Sequence, residues 1–211
     1  MLSRIPIFRE REFHLEAPVE GEVLLVAKLT GSATTITPVD ADRVVAEGKR
    51  RRGKAVLRVI QDEEKGLVAE FEGVGVEARI RGPARAVAVS GKASSLRVER
   101  GIPVEYISLK VSSSAVKAEA LLRPGGGAYI DATSSAVKIV IEPVEEGEYW
   151  LEITGRGSSV KVETPPSSSY TVERRGRLSS VSVEEAKRDA VGARYRFRVS
   201  VNTVGSSVHL A

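Results

Sequence analysis

The chain has 211 residues, 42% of them hydrophobic, with 32 basic and 28 acidic side chains and a net charge of +4. That length and apolar fraction support a folded domain with a real core and argue against disorder. The absence of cysteine excludes a disulfide framework and thiolate metal sites.

The first twelve residues, from Met1 to Glu12, interrupt their few apolar side chains with charge, which argues against a signal peptide. No apolar run reaches the eighteen or so residues of a membrane-spanning helix, so a cytoplasmic protein without a membrane span is expected. The domain is then read over 13–211. Phe13 to Glu16 forms a first short strand. Gly21 to Thr30 reads as a second that stops at Gly31, and Ala33-Thr-Thr-Ile-Thr37 as a third that stops at Pro38. Asp42–Glu47 and Lys54–Ile60 are Val-rich runs flanking Gly48-Lys-Arg-Arg-Arg-Gly53, a pattern that predicts a hairpin or an adjacent strand pair with the basic run at its tip. Gln61-Asp-Glu-Glu-Lys-Gly66 is a further turn, leading into Leu67–Phe71.

From about residue 74 to 211 a repeat takes over. Ser-Ser steps occur at Ser94-Ser95, Ser113-Ser114, Ser134-Ser135, Ser158-Ser159, Ser179-Ser180 and Ser206-Ser207, about 19 to 27 residues apart, and each leads into Val or Leu alternating with polar residues. Period-two alternation places one face in the core and one in water. A repeat of this length is too small to fold alone, so stacking is required to build a continuous core. The small serines suit a bend where backbones approach, and their hydroxyls satisfy local backbone groups. Only Val183–Ala190 tempts a helical reading, and its poor apolar spacing favours a loop or a single turn. The predicted fold is a single all-β, β-solenoid-like stack of short strands.

The recurrent Ser-x-x-Val-x-Val steps resemble the "putative adhesin" or toastrack β-repeat domains. The similarity is closest over Ala128–Pro143 and Gly147–Val162. The resemblance implies a solenoid-like β fold used for interaction or signalling rather than catalysis. Members usually carry Ser-Gly where this chain has Ser-Ser.

Catalytic signals are weak. His14 and His209 lie near opposite ends, without the spacing of a metal pair. The serines lack a nucleophile elbow and recur too regularly to form one site. Gly73-Val-Gly75 lacks the following helix of a dinucleotide loop and reads instead as a strand with close backbone approach. Asp62-Glu-Glu64 and Glu145-Glu146 read as solvated turn charge. Neither an enzyme, a cofactor nor a metal site is expected.

The basic residues are the stronger candidates for binding. Lys49, Arg50, Arg51, Arg52 and Lys54 form one set, Arg174, Arg175 and Arg177 a second, and Arg194, Arg196 and Arg198 a third on one strand face. Such rows suit nucleic acid or another polyanion; the competing reading is an ion-paired outer face. One glutamine (Gln61), one asparagine (Asn202) and one methionine (Met1) beside abundant Glu, Lys and Arg suggest a thermophilic, archaeal source. The C-terminal Ser-Ser-Val step shows no polar cap, and an open edge there favours self-association. The expected protein is a non-catalytic interaction scaffold with a homo-oligomeric or other protein partner; the alternative is a polyanion-binding protein.

Overall fold

In a computed structural model, residues 11–211 are described except Leu178, together with every side chain in that range but that of Arg51. The strands in chain order begin with β1 (Arg11–Pro18), β2 (Val23–Thr30), β3 (Ala33–Pro38), β4 (Arg43–Asp62) and β5 (Gly66–Gly82). There follow β6 (Ala84–Lys92), β7 (Ser95–Val98), β8 (Val104–Ser112), β9 (Ala115–Thr133) and β10 (Ala136–Pro143). The last six are β11 (Gly147–Arg156), β12 (Ser159–Glu163), β13 (Ser168–Arg177), β14 (Ser180–Val183), β15 (Tyr195–Val204) and β16 (Ser207–Leu210). The tempting helical segment contains one 3-10 turn, Glu185–Lys187.

Pairing sorts these strands into two stacks. The first runs β4 (54–62), β5 (66–74), β2, β6, β8, β9 (127–133), β11, β15, β13. The second runs β1, β4 (43–50), β5 (77–82), β3, β7, β9 (115–122), β10, β12, β16, β14. Among the described residues, only the β1–β4 and β4–β5 pairs are antiparallel. A parallel neighbour requires a crossover. Here the crossover is itself a strand of the opposite stack, which makes a solenoid without helices.

Alternation along each strand fills the space between the stacks. Leu25, Val87, Ile107, Ala128, Leu151 and Val199 follow one another in register on the first stack. Ile36, Val98, Ala118, Ile139, Val162 and Leu210 do so on the second. All twelve are buried in one core. Burying a full aliphatic side chain contributes about 1.5–3 kcal/mol, so the stack is held by repetition of a modest gain. Toward the end of the stack the filling turns aromatic: Phe197 lies 5.4 Å from Tyr149 and 5.7 Å from Tyr170.

Serine decides where the chain turns from the first stack to the second. At each corner one residue takes a left-handed conformation, as at Ala93, Ser113, Ser134 and Gly157, with φ between 48° and 58°. A buried serine follows it. The Oγ of Ser32, Ser94, Ser114, Ser135, Ser158 and Ser206 each donates to the carbonyl two residues back, at 2.7–3.3 Å. Each of these hydroxyls also accepts an amide from the adjacent rung. The N–H groups of Ser32, Ser94, Ser114, Ser135, Ser158 and Ser206 donate to Ser94, Ser114, Ser135, Ser158, Ser206 and Ser179 in turn, at 3.1–3.4 Å. Val76 N–H closes the other end on Ser32 Oγ. The Ser-Ser pairs enter this ladder in two registers. The second serine is the rung at Ser114 and Ser135, whereas the first is the rung at Ser94, Ser158, Ser179 and Ser206. Ser32, which belongs to no pair, is a rung as well.

Two expectations are corrected. Residues 48–53 are not a hairpin tip, because β4 is continuous from Arg43 to Asp62 and merely shifts register against β5 between Arg50 and Lys54. The hairpin turn is the next one, where Asp62 Oδ1 accepts the amides of Glu64 and Lys65. The C-terminal step is not an open end either. β16 lies between β12 and β14, so the last rung of the stack is β13 with β14, formed earlier in the chain.

That last rung is closed by polar groups. Arg174 occupies the register position of inward-facing Val201 and Ile153, and its guanidinium donates to the Val181 carbonyl of β14 at 2.5 Å. Lys187, buried, donates from Nζ to the Thr164 carbonyl at 2.9 Å. The Tyr170 hydroxyl meets Thr164 Oγ1 at 2.6 Å and donates to the Ala211 carbonyl at 3.1 Å.

Adjacent serines provide a test of the ladder. Ser158→Ala strips the amide of Ser135 of its buried acceptor and is expected to lower stability by about 1–3 kcal/mol. Ser159→Ala, on the exposed side, is expected to change it by no more than about 0.5 kcal/mol; urea unfolding reads both. Burial pushes the Tyr170 hydroxyl up to about 12, against about 10 in an unfolded chain. The fold therefore favours the neutral phenol. Its contribution is complete below about pH 10 and is lost as pH rises toward about 12. Tyr170→Phe is expected to flatten that alkaline loss in urea midpoints.

Candidate interaction surface

The serines that raised the question of chemistry are consumed by the corners: each ladder hydroxyl already donates one hydrogen bond and accepts another. The two histidines are separated rather than joined. His14 on β1 lies within 3.7 Å of Glu16 and 3.8 Å of Glu47, while His209 on β16 meets Ser182 Oγ at 2.8 Å. Eight strand spacings separate β1 from β16 in the second stack, about 38 Å at ~4.8 Å each. Gly73 shows the close packing expected of it, since a Cβ there would come within 2.8 Å of Phe71 and 2.9 Å of Val76. Glu146 is ion-paired with Arg194 in a turn.

The candidate basic residues fall at opposite ends of the stack. Lys49 and Arg50 lie on β4 before its register shift, Arg52 and Lys54 on the exposed corner beyond. Lys54 pairs with Glu72 at 2.7 Å, which holds that carboxyl below its ordinary range. The side chain of Arg51 lies outside the described residues. Arg175 bonds Glu173 of its own strand, and Arg177 is exposed on the same edge strand. Arg194 and Arg198 pair with Glu146 and Glu148 at 2.7 and 2.9 Å. Arg196 is exposed without an ion pair among the described residues. As expected, Phe197 and Val199 face inward between them. The placement gives β13 a further property. A charge pointing inward on an edge strand, as Arg174 does, blocks addition of another strand.

Register, rather than sequence proximity, assembles the surface that sequence reading missed. On the outer face of the first stack, Ile60, Val68, Leu24, Ala86, Tyr106, Gly127 and Trp150 follow one another on neighbouring strands. Leu24, Val68 and Ala86 form a small cluster of their own, flanked by Val26, Ala88 and Tyr106. Ile60 at one end is 48% exposed and Trp150 at the other 37%, large values for such side chains. The indole lies against Gly127, where a Cβ would come within 2.3 Å of Trp150 Cδ2. Only the ends of this stripe are exposed: Leu24, Val68, Ala86 and Gly127 between them are buried and Tyr106 is half-buried. Arg85 and Glu105 form an ion pair beside it, as do Arg198 and Glu148.

No protein-family model matches the chain, and no curated protein matches it. Solved structures do. A putative cell adhesion protein from Clostridium sporogenes is 10% identical with a TM-score of 0.40, covering 96% of this chain and 99% of its own. A putative adhesin from Parabacteroides distasonis is 10% identical with a TM-score of 0.41, covering 95% and 97%. Another, from Bacteroides fragilis, is 9% identical with a TM-score of 0.35, covering 95% and 97%. No helix among the described residues is long and apolar enough to cross a membrane.

The edge role of Arg174 is testable. Arg174→Val gives the last strand an apolar inward row, and light scattering is expected to show open-ended oligomers, larger than any pair of copies the parent chain forms.

Proposed function

We propose that this chain is a non-catalytic interaction protein, a rigid β-solenoid scaffold that associates with a second copy of itself through the outer face of its first stack. The observation that carries this reading is the exposure of Ile60 and Trp150 at the two ends of an apolar column whose middle, Leu24, Val68 and Ala86, is buried, since apolar surface left open on a wet face marks contact sites. Ion pairs of both signs flank the column. A two-fold related copy therefore meets complementary charge at its rim while Ile60 of one copy packs near Trp150 of the other. The stripe spans six strand spacings, about 29 Å. A face this narrow falls short of the ~800 Å² per partner of a stable complex, so the association is weak and concentration-dependent. The commitment of the serine hydroxyls to the corners supports the non-catalytic part.

Trp150 is the single tryptophan, so its emission reports on this face alone. With rising protein concentration, light scattering is expected to show a growing mass while the indole emission shifts to the blue. The double variant Ile60→Arg/Trp150→Arg is expected to keep the monomer mass throughout. A parent chain that stays monomeric at high concentration, with unchanged emission, overturns the reading.

A further inference from the structure

The outer face of the second stack carries a column of a different kind. Arg79, Thr35, Arg97, Lys117, Lys138, Lys161 and His209 stand in cross-strand register on neighbouring strands. Four of them in succession are Arg or Lys, with side chains 44–55% exposed, and the sheet spaces them ~4.8 Å apart. Like charges placed directly opposite destabilise strand pairing. The first stack avoids this. Its comparable outward column, Glu72, Lys28, Ser90, Lys110, Asp131 and Thr154, mixes signs and neutral residues. A uniform cationic column is therefore not the general outcome of a charged solenoid surface.

Counter-charge lies on one side only. Arg97 pairs with Glu99 at 3.4 Å, Lys117 with Glu119 at 3.3 Å, and Lys161 with Glu163 at 2.7 Å. The strand of Lys138 has Val140 at that position, so Lys138 reaches across to Glu163 at 2.9 Å. Four cations thus share three carboxylates. Hydrogen bonds from Lys161 and Lys138 hold the Glu163 carboxyl below its ordinary range, and it stays ionised at neutral pH. On the other side of the column stand Ser95, Ala115, Ala136 and Ser159, again in register. No side chain there is longer than serine. Shelf and cations line an open groove of about 470 Å³.

We propose that this groove binds a linear anionic polysaccharide with a carboxylate on each sugar, laid across the strands along Arg97, Lys117, Lys138 and Lys161. A chain of pyranose rings repeats on a length close to the strand spacing of ~4.8 Å, so the carboxylates on the edge of the chain turned to the protein fall along the line of cations. The phosphates of one strand of a nucleic-acid duplex advance ~3.4 Å each along the helix axis and wind around it, so they leave a straight row of cations after a few strands of the sheet. The shelf leaves flat room for the sugar rings beside the charges. Bound carboxylates also relieve the mutual repulsion of the column, and because the cations are exposed the binding weakens with salt.

Biolayer interferometry of the full chain on immobilised polygalacturonate tests this. Salt-sensitive binding is expected, with no binding to neutral dextran. Lys117→Glu/Lys138→Glu is expected to weaken it by about tenfold or more. Ala136→Phe, which fills the shelf without changing charge, is expected to weaken it as well, provided thermal melting matches the parent. Arg196→Glu/Arg198→Glu and the Trp150 variant are expected to leave it unchanged, which separates this site from the association face. Three results overturn the proposal: no binding at low salt, binding indifferent to both groove variants, or tighter binding of single-stranded DNA through the same two lysines.

Discussion

The corner serine is the constraint on which the rest of the molecule depends. In a parallel stack every rung turns at the same place, so the corner amides all lack a partner in the strand ladders and all point toward the next rung. A buried amide left unpaired costs about 1–3 kcal/mol. One hydroxyl per corner resolves this by bonding back to its own chain and accepting from the neighbour. The residue before it must be left-handed, and the chain tolerates Ala93, Ser113 and Ser134 there at about 1–2 kcal/mol each. The ladder offsets that cost by locking the position of each rung against the next. A slip of one residue would expose the entire inward row.

A solenoid has two ends, and this chain treats them differently. At one end the stacks begin with the antiparallel strands β1, β4 and β5, which alter the pairing direction. At the other, the chain makes its outermost rung before the penultimate one and then returns to insert β15 and β16 between β11–β12 and β13–β14. The outermost rung is the polar one. Arg174 and Lys187 donate to carbonyls across the end of the core, where another aliphatic row would invite a further strand. Arg174, which looks like part of a binding set in the sequence, has this local work to do.

Once the interior is given over to packing and the corners to hydrogen bonds, specificity is left to the outward columns. A parallel stack turns each register position into a straight row of side chains at a fixed spacing. The two faces use this differently: the first presents an apolar row ending in Trp150, the second a cationic row beside a shelf of alanine and serine. Both are extended rows of side chains running across the strands.

The sequence by itself determined the strand content, the alternation and the repeat, because each is a matter of nearest neighbours along the chain. It also carried the reading of the serines as architecture and the inward placement of Phe197 and Val199 between the arginines. Valine next to charge two residues apart has one stable disposition in a half-buried sheet. Tertiary structure decided everything that depends on which strands lie side by side. That Lys117 stands beside Lys138, or Ile60 in line with Trp150, follows from register between segments 21 and 90 residues apart. The order of the last rungs, the burial of β16 and the continuity of β4 through its basic run are likewise long-range results. The local pattern is the same for a strand at an edge and a strand within the stack, and only the packing of the whole chain distinguishes them.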